Sequence, residues 1–403
     1  MTPLDQSRPF PPVFALFWGA FLAAAGYGAT FLLTRHFIAF GGTEVDTGAV
    51  LAAAVIGTFF GVPLTGTYAG RIGSARCAAL GIGLNAVAFS LIALSDRAST
   101  VALVGGFALG CGWGTFYLAA PMSLSRLVND EVRGYWFLRF GAFQMAGIGV
   151  SPVLGEFMVT QLSIGTTVFF FMVSAGCCLA ALLLFAFDMR TRDIASVISG
   201  PNASWLSAVF EVLRSPARTP VLMVGLGAAA FGGTLTFQSS IVEGTSLAPG
   251  TYFAVYTCAV VGARWLLAGT LSRISPAISI PMLLAVMVLG LCLLFATAFE
   301  PIAFAAHAGS AVLFGVGYGL VYPLIQARAV NDVGDPGLQD AALTWFVIFY
   351  FGGLFGFPFL GGWIIVWLGA GALITATVFI GLLEFALGFG IRRHLKGGKT
   401  RDR

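Results

Sequence analysis

Residues 110–117 read GCGWGTFY and residues 315–322 read GVGYGLVY, so one chain writes Gly-x-Gly-aromatic-Gly-x-x-Tyr twice, 205 positions apart. Two further pairs keep the same order at nearly the same spacing. AAGYGATF (24–31) answers AAAFGGTL (228–235) at an offset of 204, matching Gly28 with Gly232 and Thr30 with Thr234. GIGVSPVLG (147–155) answers GLFGFPFLG (353–361) at 206, matching Pro152 with Pro358 and Gly155 with Gly361. Three matched pairs in one order mark an internal duplication of half the chain.

Composition shows what is duplicated. Of 403 residues, 58% are hydrophobic and 9% charged, with mean hydropathy +0.93, whereas a soluble domain is roughly 25% charged. Twelve apolar stretches lie at roughly 12–34, 47–70, 76–95, 100–125, 135–159, 166–187, 219–242, 250–272, 277–298, 301–327, 340–366 and 369–391. Each is long enough to cross a hydrocarbon core of about 30 Å as a helix. None alternates apolar and polar residues as a transmembrane barrel strand does. The expected fold is an all-α membrane protein, with twelve transmembrane helices in two pseudo-symmetric six-helix bundles. The start, MTPLDQSRPFPP, lacks the basic n-region and cleavage site of a secretory signal, so the first helix is expected to be retained.

The longest polar connection, residues 188–218, divides the chain into an N-terminal bundle (1–187), a linker (188–218), a C-terminal bundle (219–391) and a basic tail (392–403). In the linker Trp205, Leu206, Val209, Phe210, Val212 and Leu213 recur at helical spacing, which predicts a short helix along the membrane surface. If twelve helices alternate, Arg8, Arg71, Arg76, Arg126, Arg133, Arg190, Arg192, Arg214, Arg218, Arg273, Arg328 and the tail share one side, and only Arg35 and Arg97 take the other. The positive-inside rule then puts both termini in the cytoplasm. Six helices return the chain to its starting side, so the halves share one orientation.

The glycines of the octets allow close helix contact, which supplies much of the packing energy in lipid, and could also let one half rock against the other. Trp113 and Tyr117 are four apart, as are Tyr318, Tyr322 and Gln326, so each set forms a polar-aromatic stripe on one helix face. Ionisable groups inside apolar segments are costly unless they line water or find a partner. Glu156 and Arg264 are read as functional, with His307 a further proton-carrying candidate. Glu384 and Arg139 are expected to snorkel to the interface. The six cysteines fall in or beside apolar segments, without metal-ligand spacing, and read as small packing residues.

Between the second and third segments runs Gly66-Thr67-Tyr68-Ala69-Gly70-Arg71-Ile72-Gly73-Ser74-Ala75-Arg76. This resembles the loop motif of the major facilitator superfamily in Gly66, Arg71, Gly73 and Arg76; Gly70 stands where that family carries an Asp. GTLSRIS (269–275) around Arg273 resembles a degraded second copy. Gly147, Pro152 and Gly155 resemble the family's antiporter signature, with Ser151 in place of a Gly and Leu138 where an earlier Gly is expected. Pro358 and Gly361 are their counterparts in the second half. The resemblance implies that these glycines, prolines and arginines serve gating. It also implies that helices one, four, seven and ten line a central cavity. Tyr27, Thr30 and Thr34, Trp113 and Tyr117, Thr234 and Gln238, and Tyr318, Tyr322 and Gln326 would then bind substrate, together with Arg264. Glu156 or His307 would carry the coupling proton.

The function expected from this resemblance is export of a small organic solute by proton antiport with alternating access, in the cytoplasmic (inner) membrane of a bacterium. A rival is uptake of an organic anion, with Arg264, Arg139 or Arg35 as counter-charge. A membrane-embedded enzyme is disfavoured, because His36, His307 and His394 are dispersed and none forms H-E-x-x-H. No phosphate-binding P-loop appears, which disfavours ATP-driven pumping. The expected partners are a small-molecule substrate, a proton and the lipid bilayer, with no cofactor, metal or nucleic acid, on a monomer.

Overall fold

The structure, a computed structural model, describes residues 11–125, 127–128, 130–191, 209–271, 274–298, 302–333 and 336–398, and every regular element among them is a helix. The chain forms two compact units, Met1–Asn202 and Ala203–Arg403. In the first, α1 (Pro11–Ala29) passes through a 3-10 turn (Thr30–Leu32) into α2 (Leu33–Ala39). It is followed by α3 (Glu44–Ile72), α4 (Ser74–Ala93), α5 (Thr100–Ser125), α6 (Asp130–Thr160) and α7 (Thr166–Thr191). The second unit starts with the short α8 (Val209–Arg214), α9 (Arg218–Thr236) and α10 (Gln238–Ile241). It continues through α11 (Pro249–Leu271), α12 (Pro276–Leu293), α13 (Ala303–Asn331), α14 (Pro336–Leu368) and α15 (Ala370–Gly398).

Among the described residues eleven helices are long and apolar enough to cross a membrane. The expected eighth segment, α11, is a helix of 23 residues; the side chains of residues 268–270 lie outside the described residues, and α11 is not among the eleven. Of the linker, residues 192–208, with Arg192, Trp205 and Leu206, lie outside the described residues, as do Arg8, Arg126, Arg273 and Lys399–Arg403. The same holds for the side chains of Arg133, Leu138 and residues 390–398. The described part of the predicted surface helix is α8, which buries Val212 and exposes Phe210.

Both units pair their helices alike. In the first, α1 packs on α6 and α7, α5 on α3 and α4, and α4 on α7. In the second, α9 packs on α14 and α15, α13 on α11 and α12, and α12 on α15. The duplication reaches single contacts. A Cβ added at Gly28 would run into the Ile148 carbonyl, and one at Gly232 into the Leu354 carbonyl. Gly147 presses on Phe21 as Gly353 presses on Gly225. Gly155 meets Leu32 and Phe169, and Gly361 meets Phe237 and Leu373. Every partner is displaced by 204 to 206 positions.

The octet glycines have the same explanation. Gly110 lies on the Ala54 backbone of α3, Gly112 on Gly81 and Asn85 of α4, and Gly317 on Leu283 and Met287 of α12. All these neighbours belong to the same unit. The close contacts therefore hold a bundle together, as the packing reading of these glycines expects.

The two prolines sharpen the point. Proline has no N–H, so Pro152 and Pro358 leave the carbonyls four residues back, Ile148 and Leu354, without their helical donor. Those are the two carbonyls that face Gly28 and Gly232. A glycine there exposes its Cα hydrogens to the freed oxygen, a weak Cα–H···O contact, and no other residue is thin enough to fit.

Of the cysteines, Cys77 and Cys177 are buried, Cys111 is half-buried, and Cys178, Cys258 and Cys292 face outward. The packing role expected for all six is thus confined to the first three.

Candidate functional site

In the first unit the break between α1 and α2 gathers polar groups. Thr30 Oγ1 donates to the Tyr27 carbonyl at 2.7 Å, which satisfies an acceptor where the helix tightens into its 3-10 turn. The Tyr27 ring lies edge-on to Trp113, 5.0 Å between centroids, and both are buried. In the amide orientation that satisfies both ends, Asn85 donates to the Leu109 carbonyl at 3.0 Å and accepts from Trp113 Nε1 at 3.3 Å. Tyr27 and Trp113 are thus brought together inside the bundle, Thr34 is buried, and Tyr117, one turn beyond Trp113, is half-buried.

Past the break, successive residues of α2 make two further links. Arg35 Nη1 reaches Glu156 Oε2 on α6 at 2.5 Å; the side chains are 28% and 5% exposed. Glu156 Oε1 has no hydrogen-bond partner among the described residues. His36, fully buried, approaches the Ser95 and Ile92 carbonyls with Nε2 at 2.9 and 3.2 Å and Thr166 Oγ1 with Nδ1 at 2.8 Å. Carbonyls only accept, so Nε2 carries the proton and Thr166 donates to Nδ1. His36 therefore staples α2 to the end of α4 and the start of α7.

In the second unit α9 breaks at Phe237, the counterpart of the first break. Gln238 Nε2 donates to the Thr234 carbonyl at 3.0 Å, and Gln238 Oε1 accepts from His307 Nε2 of α13 at 3.2 Å. The His307 ring lies 5.1 Å from Tyr252, whose hydroxyl is 3.3 Å from Ser310 Oγ. Thr234 Oγ1, Tyr256 Oη and His307 Nδ1 are buried without hydrogen-bond partners among the described residues.

The second polar-aromatic stripe divides. Tyr318 stacks on Phe231 of α9 at 4.6 Å and 8°, whereas Tyr322 meets Phe346 and Tyr350 of α14 at 5.6 and 5.2 Å. Gln326 is half-buried. Arg264 Nε donates to the Gly319 carbonyl at 3.0 Å. That carbonyl lies four residues before Pro323, so its helical donor is missing and the arginine replaces it. Arg264 thus has a structural task that the sequence reading did not foresee.

Arg139 is exposed, whereas Glu384 does not snorkel. It is 1% exposed, with its carboxyl against Gly227 of α9.

The residues of the loop motif separate into two sets. Gly66, Gly70 and Arg71 are exposed. Gly73 has φ +95°, a left-handed backbone that breaks α3 from α4. Arg76 Nε donates to Asp188 Oδ2 of α7 at 2.8 Å, with side chains 27% and 8% exposed. Gly70 stands where the family carries a carboxylate, and Asp188 anchors the motif's last arginine within the unit. Asp188→Asn is expected to lower the stability of the protein in detergent by about 1.5 kcal/mol, the low end for a charge-assisted hydrogen bond because Arg76 stays partly solvated. Arg71→Ala should change the thermal midpoint little, within about 0.5 kcal/mol. Thermal unfolding of both variants checks the contrast.

Asn85, His36, Asp188, Tyr252 and Phe231 were missed by sequence reasoning. So was the pairing of Arg35 with Glu156. Among the described residues no group of three His, Cys, Asp or Glu could hold a metal.

Two like-built helical units, with eleven helices long and apolar enough to cross a membrane among the described residues, define a multi-pass membrane protein. The sequence profile of the Major Facilitator Superfamily matches residues 16–353, and the chain belongs to that family. It is a transporter and not an enzyme. A crystal structure of the nucleoside transporter NupG is similar at a TM-score of 0.72, with 15% identity over 94% of this chain and 98% of that one. A crystal structure of the human organic anion transporter MFSD10 (TETRAN) is similar at 0.65, with 18% identity over 94% of this chain and all of that one. No curated protein sequence matches the chain.

Proposed function

We propose that this transporter exports a small organic solute in exchange for protons, by alternating access, from the cytoplasm of a bacterium. The observation that carries the reading is the Arg35–Glu156 pair. A buried carboxylate held by one cation on a neighbouring helix can exchange that partner for a proton, and the exchange changes what holds α2 against α6. The polar groups at the two helix breaks, Tyr27, Thr30 and Thr34 in one unit and Thr234 and Gln238 in the other, are assigned to substrate. Trp113, Tyr117, Tyr318, Tyr322 and Gln326 complete that set. His307 is the alternative proton carrier. Arg264, whose Nε–H goes to the Gly319 carbonyl, is assigned to substrate through its remaining donors.

Comparing strains with and without the gene for sensitivity to, and accumulation of, nucleosides, organic anions and lipophilic cations tests the reading. Export predicts higher accumulation of one class in the strain without the gene. Lower accumulation of an organic anion there would favour uptake.

The location of the termini has its own test. A reporter active only in the cytoplasm should work when fused within the 188–218 linker or after Arg403, since basic residues concentrate on that side. Activity of a periplasmic reporter at either place would overturn the orientation.

A further inference from the structure

Glu384 sits where the duplicated scaffold has no need of a charge. The contacts of Gly155 with Phe169 and of Gly361 with Leu373 register α7 against α15 at an offset of 204. The α1–α7 and α9–α15 interfaces keep that register. Gly19 accommodates Leu184 in the first unit, and Gly388 faces Met223 at the matching place in the second, with large and small residues exchanged. Ala23 and Ala180 are then the counterparts of Gly227 and Glu384, and both alanines are fully buried. One half thus fills this interface with two methyl groups, whereas the other sets a carboxyl against a bare glycine. A Cβ at Gly227 would lie 2.8 and 2.9 Å from the two carboxyl oxygens, so the glycine makes the room that the carboxyl occupies.

Nothing charged faces it among the described residues. Glu384 Oε2 is buried without a hydrogen-bond partner. One turn to either side, Gly388 faces Leu284, Ile280 and Met223, and Gly381 faces Leu291, Val288 and Met287. The titratable groups on the helices packed against α15 are few. α12 has only the outward-facing Cys292, and α9 only Arg218, exposed at its first residue. α10 has none, and α14 has Tyr350 and, near its start, Asp340, whose side chain lies outside the described residues. On α15 itself Arg392, Arg393, His394 and Lys396 begin two turns further on, about 12 Å along the axis. An unpaired carboxylate in such surroundings is strongly unfavourable, and the neutral acid avoids that cost.

We propose that Glu384 is a proton-exchange site of the C-terminal unit. Packed against Gly227, the carboxyl keeps its proton. When water reaches it, the O–H bond breaks and the proton passes to water, leaving the carboxylate, and reprotonation restores the packed form. Because Gly227 has no side chain, a small change in the α9–α15 spacing suffices to admit water. The proposal deepens the proton-coupled reading and rests on it, but names a residue other than Glu156.

Infrared spectroscopy of the purified full-length protein, in detergent at neutral pH, tests it without a substrate. The wild type should show the carbonyl stretch of a protonated carboxyl, shifting on transfer to D2O as the proton exchanges. The band should persist in Glu156→Gln. It should vanish in Glu384→Gln and in the double variant Gly227→Ala/Glu384→Ala, which rebuilds the Ala23–Ala180 packing and so guards against a folding artefact. A spectrum unchanged by loss of Glu384 would overturn the proposal, because the group would then be ionised in the wild type. A Glu384 band that never shifts in D2O would also overturn it, since the proton would be locked in. Failure of proton-driven transport would leave this infrared result standing, and failure here would leave coupling through Glu156 standing, so the two readings fail separately.

Discussion

Gly28→Ala, Gly110→Ala and Gly232→Ala are each expected to lower the apparent unfolding temperature and the yield of folded protein, by about 1–3 kcal/mol of overpacking apiece. The new Cβ would run into the carbonyls of Ile148, Ala54 and Leu354 respectively. A backbone carbonyl inside a helix cannot swing aside as the end of a side chain can, so two helices must part. At Gly28 and Gly232 the loss is compounded, because the carbonyl already lacks the donor removed by Pro152 or Pro358. Gly176→Ala and Gly262→Ala supply the controls, since nothing lies within 4 Å of a Cβ at either position. Thermal unfolding in detergent reads the comparison, with equal midpoints across all five variants as the contrary result. Gly112→Leu and Gly317→Leu are expected to behave like the first three and to lose fold before turnover, because their neighbours lie within their own bundles.

Arg35→Ala is expected to be more damaging than Glu156→Gln. Removing the arginine leaves a carboxyl that is 5% exposed without its cation. Stranding a fully buried charge costs roughly 3–5 kcal/mol; here about 3 kcal/mol is expected, because Arg35 itself remains partly solvated. Glu156→Gln keeps an acceptor for the guanidinium and strands only a cation with access to water. The double variant Arg35→Met/Glu156→Gln should recover most of the loss, since removing both partners of a buried pair is often near neutral. A thermal midpoint for Arg35→Ala equal to that of the wild type would show that the pair contributes nothing to stability.

The fold was legible in the sequence because membrane helices announce themselves by length and composition, and because the duplication repeats small residues that geometry cannot replace. Gly28 with Gly232 and Pro152 with Pro358 could be aligned from sequence, and each pair proved to be the same contact made twice. What could not be read was which carbonyl each glycine met, since that depends on the register between helices more than a hundred residues apart. The site was legible in its residue types but not in their pairing. Arg35 and Glu156 are 121 positions apart, and no local pattern links them. Arg264 drew attention as a charge in lipid, yet one of its partners is a backbone carbonyl freed by Pro323, a group that carries no signature of its own. Glu384 reads from the sequence as an interfacial residue, lying in the inner half of its segment. Long acidic side chains are flexible enough for that, and only the missing methyl at Gly227 shows why this one turns inward.

The central claim is that a pH gradient drives solute movement through this chain. The most direct test uses proteoliposomes of the purified protein loaded with the solute class found by the accumulation screen. With an imposed pH gradient the protein should move that solute against its concentration gradient, and a protonophore should abolish the movement. Glu156→Gln should retain counterflow of labelled for unlabelled solute while losing accumulation. Uphill transport that is indifferent to the protonophore, or a Glu156→Gln variant that still concentrates solute, would contradict the account.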